Sequence, residues 1–413
     1  MRWQKAKLGD VCRIVSGSTP STNVSEYWGG DIWWATPKDL SELSDIYIQE
    51  TQQRITEPGY RSCSTELLPV GSVLFSSRAP IGHVAINAVP MCTNQGFKSF
   101  IPLANRLDSR YLYFWLKANR TYLESLGNGA TFKELSKATV ERLEIPLPPL
   151  TEQQSISAVL EQATTIRQKR KEVIVKLDAL LQAAFLDKFG DPLTNPKGWQ
   201  VKPISELGSV TTGNTPSRAR PEYYGPGIEW IKSDNINTPH HYLTLAEETL
   251  SMEGEKVARV VPAGSVLVTC IAGTPSCIGN SALADRRVAF NQQINAITPY
   301  KDIDPYFLYT QLLVGKKLVQ QASTNSMKGM VSKNKFSAIE LMCPPAEMQS
   351  AFGKRFLQIH ALRENMQKSL AAAEVLFSSL QLQAFTGGFA DRPAQIESQM
   401  TTLPGYTQEV SHV

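Results

Sequence analysis

The sequence predicts an α/β (α+β) protein with two similar mixed domains, each followed by a long helix, and the two helices are expected to pair with each other. Three observations predict this fold class. The first half of the chain recurs in the second half. Short apolar runs between Gly, Pro, Ser and Asn indicate strands joined by loops. Two long polar segments carry apolar residues at alternating steps of three and four.

The internal repeat is visible residue by residue. The segment "SGSTPSTNVSEYWGGDIWWATPKDL" (16–40) returns as "TGNTPSRARPEYYGPGIEWIKSDNI" (212–236). The shift that aligns them, called the repeat shift below, carries Trp3 onto Trp199. After a small drift, the same shift aligns "SKATVERLEIPLPPLTEQQSI" (136–156) with "SKNKFSAIELMCPPAEMQSAF" (332–352). A repeat this long is a duplicated domain with its helix rather than a solenoid unit.

Length and composition restrict the class of protein. A chain of 413 residues is long enough for two domains and their connectors. No apolar run approaches the roughly 20 residues that cross a bilayer, and "MRWQKAKLGD" lacks the features of a secretory signal. The six cysteines form no CxxC pair, which favours reduced thiols over disulfides or zinc. The net charge of +4 does not by itself identify a partner.

Each domain is expected to contain one helix besides its strands. "SRYLYFWLKANRTYLESL" (109–126) has apolar residues at helical spacing behind Ser109 as a cap, and "DPYFLYTQLLVGKKLVQQA" (304–322) is its counterpart. The predicted division of the chain is residues 1–150 for the first domain, 151–190 for its long helix, 191–345 for a linker and the second domain, 346–389 for the second long helix, and 390–413 for a tail that is poorly ordered or docked on a neighbour.

The two long segments fit a heptad template. Each has a mostly apolar stripe, with Arg170 as the charged residue in the first, and two such stripes are best buried against one another. The basic run "RQKRKEV" (167–173) either forms the solvated face of its helix or follows phosphates. The predicted pairing seam comprises Ile156, Val159, Ile166, Val173, Leu177, Leu180, Phe352, Ile359, Leu362, Met366, Leu376 and Leu380.

The signatures of several enzyme classes are missing from the sequence. It has no GxxxxGK[ST] phosphate loop, no strand-linked GxGxxG and no GxSxG elbow. Its double prolines, "LPPL" and "CPPA", are not the Asn/Asp-Pro-Pro-aromatic signature of a DNA amino-methyltransferase. The histidines lack zinc-ligand spacing, and the pair His240–His241 indicates an exposed loop. A non-catalytic binding protein without a metal or cofactor of its own is therefore predicted.

The loops carry residue types that suit nucleic acid. Hydroxyl, amide, Lys and Arg side chains donate hydrogen bonds to phosphates and base edges. "FSSRAP" (75–80) offers two hydroxyls and a guanidinium at the end of a strand, although a surface ion pair is an equal interpretation of Arg78. Four tryptophans are interpreted as core anchors rather than base-stacking platforms, since tryptophan buries a large area: Trp28, Trp33, Trp34 and Trp230.

These motifs resemble the DNA-specificity subunit of type I restriction-modification systems. The resemblance rests on both repeated loops together with "GSVLFSSRAPIGHVAI", "CTNQGFKSF", "NGATFKELSK" and "IPLPPLTEQQSI", and it extends from Trp3 to Phe389. It implies that each domain is a target recognition domain for one half of a bipartite site in double-stranded DNA, and that the two long helices pair as an antiparallel coiled coil. It also implies a prokaryotic cytoplasm, two methyltransferase subunits as partners, and restriction/translocase subunits. S-adenosylmethionine, ATP and Mg would then belong to those partner subunits.

The candidate DNA-binding residues lie in the repeated loops. The second domain has "LVTCIAGTPSCIGN" where the first has "LFSSRAPIGHVAIN", so the two half-sites are expected to differ. The alternatives are a recognition module of another restriction or phage-defence system, and a coiled-coil adaptor that binds only protein. The candidates are Lys38, Ser76, Ser77, Arg78, Asn94, Gln95, Lys98 and Lys133 in the first domain, and Lys232, Asn235, Thr269, Asn291, Gln292, Lys328 and Lys333 in the second.

Overall fold

The computed structural model describes residues 3–128, 133–324 and 329–386. The predicted tail, 390–413, and Lys328 lie outside the described residues. Contacts divide the chain into two units, one formed by the residues up to Glu172 together with those from Met366, and the other by Val173–Asn365. Each unit thus contains one globular domain and parts of both long helices, so the units cut across the linear division predicted from the sequence.

The first unit alternates short strands with short helices before its long helix. Its strands are β1 (Lys5–Lys7), β2 (Cys12–Ser16), β3 (Trp28–Ala35), β4 (Tyr47–Ile48), β5 (Gln53–Ile55), β6 (Val73–Phe75), β7 (Val84–Asn87), β8 (Met91–Thr93), β9 (Lys98–Pro102) and β10 (Glu144–Pro146). Its helices are α1 (Leu8–Val11), α2 (Pro37–Glu42), α3 (Glu57–Arg61), α4 (Ser109–Ala118), α5 (Arg120–Ser125), α6 (Lys137–Glu141) and the first part of α7 (Leu150–Phe189).

Two sheets, of order β2-β9-β6-β7-β4 and β5-β3-β8, form the body of the first unit. Val73 and Phe75 of β6 face the core that contains α4, whereas Leu74 faces the core shared with β3 and β8. Because successive side chains of a strand point to opposite faces, a strand buried on both faces is a continuous apolar run, as "VLF" of β6 is. A further pair, β1 with β10, brings Ala6 opposite Ile145, directly before α7.

The second unit repeats this arrangement. Its strands are β11 (Val201–Pro203), β12 (Gly208–Thr212), β13 (Tyr224–Ile231), β14 (Thr249–Leu250), β15 (Val260–Val261), β16 (Val266–Thr269), β17 (Ile271–Ala272), β18 (Ser281–Leu283), β19 (Val288–Phe290), β20 (Ile294–Pro299), β21 (Gly329–Met330) and β22 (Glu340–Met342). Its helices are α8 (Ile204–Leu207), α9 (Met252–Val257), α10 (Pro305–Val314), α11 (Lys316–Gln321), α12 (Lys333–Ser337) and the first part of α13 (Ala346–Thr386). The main sheets have the orders β12-β20-β16-β18 and β14-β13-β19-β15.

The helix predicted at 109–126 is two helices, because the chain leaves the helical conformation at Asn119. Its counterpart breaks at Gly315 in the same way. The cap also differs from the prediction. Asp108, not Ser109, accepts the hydrogen bond from the Tyr111 backbone N–H at 2.9 Å, since a cap must precede the first helical residue.

A buried glutamine holds the start of each long helix. Gln153 accepts a hydrogen bond from the Asp108 N–H at 2.9 Å, and its amide donates to the Arg106 and Pro148 carbonyls at the same distance. The repeat shift carries Gln153 onto Gln349, which donates to the Pro344 carbonyl at 2.8 Å and accepts from Asp304 N–H at 3.2 Å. Both side chains are fully buried. Each forms hydrogen bonds with buried backbone groups that would otherwise be unpaired.

The long helices pair antiparallel within each unit. In the first unit the start of α7 and the end of α13 share one core, through Ile156, Leu160, Leu380 and Ala384. In the second unit the end of α7 and the start of α13 share another, where the Phe185 and Phe352 rings are 5.5 Å apart. The seam predicted from the heptads falls into three groups: buried Ile156, Phe352, Ile359 and Leu380; half-buried Val159, Ile166, Leu177, Met366 and Leu376; and exposed Val173, Leu180 and Leu362.

The exposed positions correct the predicted seam. Val173, Leu180 and Leu362 are at the surface, while Leu181 and Arg363 are buried beside the last two. Successive residues of a helix are rotated by about 100°, so a seam residue assigned one position too early lies off the contact face. The predicted stripe takes a step of three residues and then one of four, and it leaves the contact face where the helices use a step of four and then one of three. Val173, Leu180 and Leu362 are apolar although they are exposed, so the apolar pattern alone did not distinguish them from seam residues.

Candidate nucleic-acid interface

Loops from several strands meet at one edge of the first unit, formed by residues 17–20, 76–80, 93–97 and 133–135 and called here the loop edge. The turn at 93–97 organises it: Asn94 N–H donates to the Ala35 carbonyl at 3.0 Å, and the Asn94 side chain accepts from Gly96 N–H at 2.9 Å. Ser18 N–H donates to the Thr93 carbonyl at 2.9 Å. The Thr19 hydroxyl bonds the exposed Gln95 side chain.

This close approach explains the repeated glycine. A Cβ added at Gly17 would overlap the Thr93 and Asn94 carbonyls, and one added at Gly213 would overlap those of Phe290 and Asn291. Any larger residue would force the two loops apart. The loop that recurs in the sequence is therefore the segment that must pack directly against this turn.

The second unit has the same loop edge, formed by residues 213–216, 269–273, 290–293 and 329–331. Asn291 N–H donates to the Ile231 carbonyl at 3.0 Å, as Asn94 does to Ala35. The Thr215 hydroxyl bonds Gln292, as Thr19 bonds Gln95. The contacts of the turn are thus repeated residue for residue in the second half of the chain.

Tryptophans tie the loop to the sheet in both units. The Trp34 indole N–H donates to the Ser18 carbonyl at 3.0 Å, and that of Trp230 donates to the Asn214 carbonyl at 3.2 Å. Both rings are buried, in agreement with their interpretation as anchors. Trp28 and Trp33 are half-buried, and the Arg54 guanidinium lies 3.5 Å from the Trp33 ring centre. Arg54 was absent from the predicted site, and its place in "TQQRIT" gives no local signal.

Charge distinguishes the two edges. In the first unit Glu134 pairs with Arg78 at 2.8 Å and with Lys98 at 3.5 Å. Leu135 N–H donates to the Ser77 carbonyl, and in the second unit Val331 N–H donates to the Cys270 carbonyl. This places Ile271, Met330 and Asn295 at the positions of Arg78, Glu134 and Lys98. The charged cluster of the first edge is replaced by two apolar side chains and one amide.

The second unit has a different charged cluster. Glu248 pairs with Arg218 at 2.8 Å and with Lys232 at 2.9 Å. The hydrogen bond from Arg218, followed by that from Lys232, lowers the pKa of the Glu248 carboxyl. Arg218 also lies over the Tyr224 ring, 4.2 Å from its centre. Sequence reasoning missed Arg218 and Glu248, as it missed Glu134; the extra arginine in "NTPSRARP", absent from "STPSTNVS", was the available signal for Arg218.

The predicted DNA-binding residues differ in their accessibility. Arg78 is exposed but paired, and Lys38 lies 3.8 Å from Glu42 in the same helix. Half-buried Asn235 accepts from Lys232 N–H at 3.0 Å and donates to the Leu245 carbonyl at 2.9 Å, so its amide supports its own loop. Lys232 and Asn94 are also half-buried. The remaining exposed candidates are Gln95, Lys133, Gln292 and Lys333.

Five candidates have polar groups that are enclosed in the structure. The hydroxyls of Ser76 and Ser77 donate to the Pro80 and Gly96 carbonyls at 2.8 and 3.1 Å. The side chain of Thr269 is also fully buried. The buried Asn291 amide donates to Gln293 at 3.1 Å. Lys98 is buried with its ammonium on Glu134. A hydroxyl or amide at a strand end is exposed only if no neighbouring turn covers it, and here the turns do.

The long helices carry two related polar contacts. In the first unit Arg167 lies 4.0 Å from Glu374 and over the Phe377 ring at 4.3 Å, and buried Arg170 donates to the Ser369 carbonyl at 2.8 Å. Burial lowers the pKa of the Arg170 guanidinium. Both interpretations of the basic run 167–173, a solvated face or a phosphate track, are therefore wrong for Arg167 and Arg170, which face α13.

In the second unit the repeat shift places the equivalent pair, Arg363 with Asp178, at 2.6 Å. His241 is buried rather than exposed: its Nε2 lies 3.2 Å from Asp178 and its Nδ1 lies 3.0 Å from the Tyr309 hydroxyl. Burial alone would raise the pKa of Asp178, but hydrogen bonds from His241 and Arg363 outweigh it and lower that pKa. Nowhere in the described ranges do three His, Cys, Asp or Glu side chains gather as metal ligands would.

Comparison with known proteins decides the family. A model described as the type I restriction modification DNA specificity domain matches residues 1–176 and again 196–374. The chain belongs to this family. The two matches coincide with the two halves of the internal repeat, so each specificity domain is one globular domain with the first part of the long helix that follows it.

Among curated relatives of this specificity family, the type I restriction enzyme MjaIX specificity subunit of Methanocaldococcus jannaschii is 39% identical over 234 residues, which are 52% of this chain and 54% of that protein. The HindI specificity subunit of Haemophilus influenzae is 31% identical over 169 residues, 40% of this chain and 36% of that protein. The chain therefore spans about half the length, or less, of these relatives.

Solved structures confirm the fold class. The crystal structure of a type I restriction-modification S subunit from M. genitalium aligns with a TM-score of 0.57 at 14% identity, covering 93% of this chain and 96% of that one. A chain from a structure on assembly and conformational transition of a type I R-M system aligns with a TM-score of 0.58 at 18% identity, covering 93% and 98%. None of the helices in the described ranges combines the length and apolar character needed to cross a membrane.

Proposed function

We propose that the chain is the specificity subunit of a type I restriction-modification system, and that each unit binds one half of a bipartite site in double-stranded DNA through its loop edge. The observation that carries the proposal is the pair of matching edges with different side chains. The same turn, glycine and tryptophan anchor support both edges. One edge has Arg78, Glu134 and Lys98 where the other has Ile271, Met330 and Asn295.

Arg78 is the strongest candidate for a base contact in the first unit. Its guanidinium is half-exposed and its partner Glu134 is one-third exposed, and ion pairs at such exposure contribute about 0–1 kcal/mol. Exchanging Glu134 for a DNA acceptor therefore costs little. Arginine binds guanine O6 and N7 with two parallel hydrogen bonds. Ile271 offers no hydrogen bond at the matching place, which supports a different sequence preference for the second unit.

Phosphate contacts are assigned to lysines beside the edges, of which Lys38, Lys133 and Lys333 are exposed and Lys232 is half-buried. Lys133 is adjacent to Glu134 and lies at the first edge, and Lys38 is the second residue of α2, the helix after the strand that ends at Ala35. Lys232 follows β13 at the corresponding place, and Lys333 starts α12 after β21. Such contacts position the protein without selecting a sequence.

We further infer that the chain is not itself an enzyme. Methyl transfer would belong to two methyltransferase subunits that bring S-adenosylmethionine, and DNA translocation and cleavage to restriction subunits that bring ATP and Mg. The supporting observation is the sequence, which has none of the nucleotide or methyltransferase signatures tested above. Purified alone, the chain should transfer no methyl group to DNA.

The test is methylation mapping in cells that carry the modification subunits with either the original chain or a variant. Arg78→Ala should relax one position of one half-site, at a cost of roughly 1–3 kcal/mol in binding, and leave the other half-site intact. Lys133→Ala should weaken all sequences alike and flatten the salt dependence. Arg61→Ala removes a more exposed arginine, which is likewise paired with a glutamate, Glu57 in α3, and serves as the charge-matched control. Unchanged methylation and salt dependence in the double variant of Arg78 and Lys133 would show that the edge is misassigned.

A further inference from the structure

An open groove lies on the first unit, beside the end of α13. Its volume is about 790 Å³, and its walls come from α4, α5, the segment 139–146 and the last turns of α13. Two of its large side chains are exposed, Tyr122 by 53% and Leu382 by 68%. Trp115, Leu126, Leu143 and Phe385 add further apolar surface. Thr386, the last residue described before the C-terminal segment, is itself part of the wall.

The corresponding place in the second unit is covered by the chain that leaves α7. The repeat shift carries Asn119 of the groove onto Gly315 and relates Phe385 to Phe189. Pro192 is buried there, and a Cβ added at Gly315 would lie 3.0 Å from the Pro192 Cβ. Trp199 closes the segment, since its indole N–H donates to the Phe189 carbonyl at 2.9 Å. Residues 190–199 therefore fold back over the end of their own helix.

The fold-back begins with a glycine in the left-handed region. Gly190 follows α7 directly and has a φ of 84°, which is the common way for a helix to end and reverse. In the sequence, Gly387 follows Thr386 at the end of α13, and Phe389 falls where the repeat shift places Leu193. The segment after α13 thus begins with the residue types that the segment after α7 uses.

We propose that residues 387–399 dock in the groove of the first unit, with Phe389 as the apolar anchor, and cover it as residues 190–199 cover its counterpart. The occupant is the chain's own C-terminal segment, because that segment starts at the groove wall and continues to Val413, long enough to repeat the ten-residue fold-back of the second unit. The docking is independent of how the loop edges bind DNA.

Hydrogen–deuterium exchange of the full chain tests the proposal. Phe389→Ala should raise amide exchange in 119–126 and 139–146 by about tenfold, because a docked segment opposes local opening of the elements it covers. Tyr406→Ala, in the same C-terminal segment but beyond the proposed anchor, is the matched control and should leave exchange unchanged. Trp199→Ala, which removes the side chain that closes residues 190–199 over α7, is the positive control in the second unit, where exchange of 315–322 should rise. A chain ending at Thr386 should behave as Phe389→Ala does.

Each other occupant has its own signature in the same experiment. Equal exchange in the original chain, in Phe389→Ala and in the chain ending at Thr386 would overturn the proposal. Protection that grows with protein concentration would assign the groove to a second copy. Protection that arises only on addition of a methyltransferase subunit would assign it to that partner. Either of these two outcomes also overturns docking of the C-terminal segment.

Discussion

The two halves of the repeat contain equivalent ion pairs that differ in burial. Comparing them measures how much a buried ion pair contributes to the free energy of unfolding. Asp178→Asn removes the negative charge from Arg363, whose side chain is 1% exposed. The guanidinium keeps its hydrogen bond to the Pro239 carbonyl at 2.6 Å but loses its counter-charge. Removing one partner of a buried pair costs about 3–5 kcal/mol, and Asp178 is partly accessible, so we expect the lower end, about 3 kcal/mol. For a unit of this size the loss corresponds to about 6–12 °C in Tm.

Glu374→Gln is the matched change in the first unit, where the repeat shift places Glu374 at the position of Asp178. Its partner Arg167 is one-quarter exposed and Glu374 itself 46%, so the cost should stay below about 1 kcal/mol. Differential scanning calorimetry at neutral pH measures both variants. The folded pKa of Asp178 is lowered, so its contribution is present above its unfolded pKa of about 4 and is lost as pH falls through the folded value. Equal losses in the two variants, or a difference that does not shrink as the pH is lowered below 4, would refute the reasoning.

Three further predictions concern the repeat. Gly213→Ala should destabilise the second unit by at least about 2 kcal/mol, because the added Cβ overlaps the Asn291 carbonyl; Gly273→Ala, whose Cβ would meet no atom within 4 Å, should be neutral in the same urea titration. Gln153→Leu should cost about 2–4 kcal/mol by leaving the backbone groups of Asp108, Arg106 and Pro148 unpaired; exposed Gln154→Leu is its control, and comparable unfolding midpoints would contradict the role of the amide. Replacing residues 1–145 by those of a related subunit should change one half of the methylated sequence, and a change in both halves would mean that the units read DNA jointly.

The repeat and the heptads were the parts of the fold that the sequence made predictable. Both patterns extend over many residues, so an error of one position does not hide them. The two domains and the two long helices were therefore predicted, although the seam was misplaced at Leu180 and Leu362. The break at Asn119 was missed because a short, nearly helical kink leaves the apolar spacing intact. The helices α3 and α6 were also missed, although Thr56 and Ser136 are residues of the type that caps helices.

The site was less predictable than the fold, because accessibility is decided by chain segments far away in sequence. From the sequence, Ser77 is expected to be an exposed hydroxyl at the end of a strand. In the structure, the turn at Gly96 covers it and accepts its hydrogen bond. Arg78 and Glu134 meet across a large separation in sequence, so no local pattern links them. Lysines on short helices, such as Lys333, are exposed in the structure as their sequence context suggests, since a polar residue at the start of a surface helix faces water.

At the loop edge, the groups that shape the loops are different from the exposed charged pair. This separation affects how the protein can evolve. The bonds that shape the edge run mainly through backbone groups and a few framework side chains, including Gly17, Asn94 and Trp34. Arg78 and Glu134, by contrast, meet as an accessible pair that contributes little to folding. Single substitutions at this pair can therefore accumulate without a stability threshold to cross. Because the frame is present twice, one half can drift toward a new preference while the other keeps the old one.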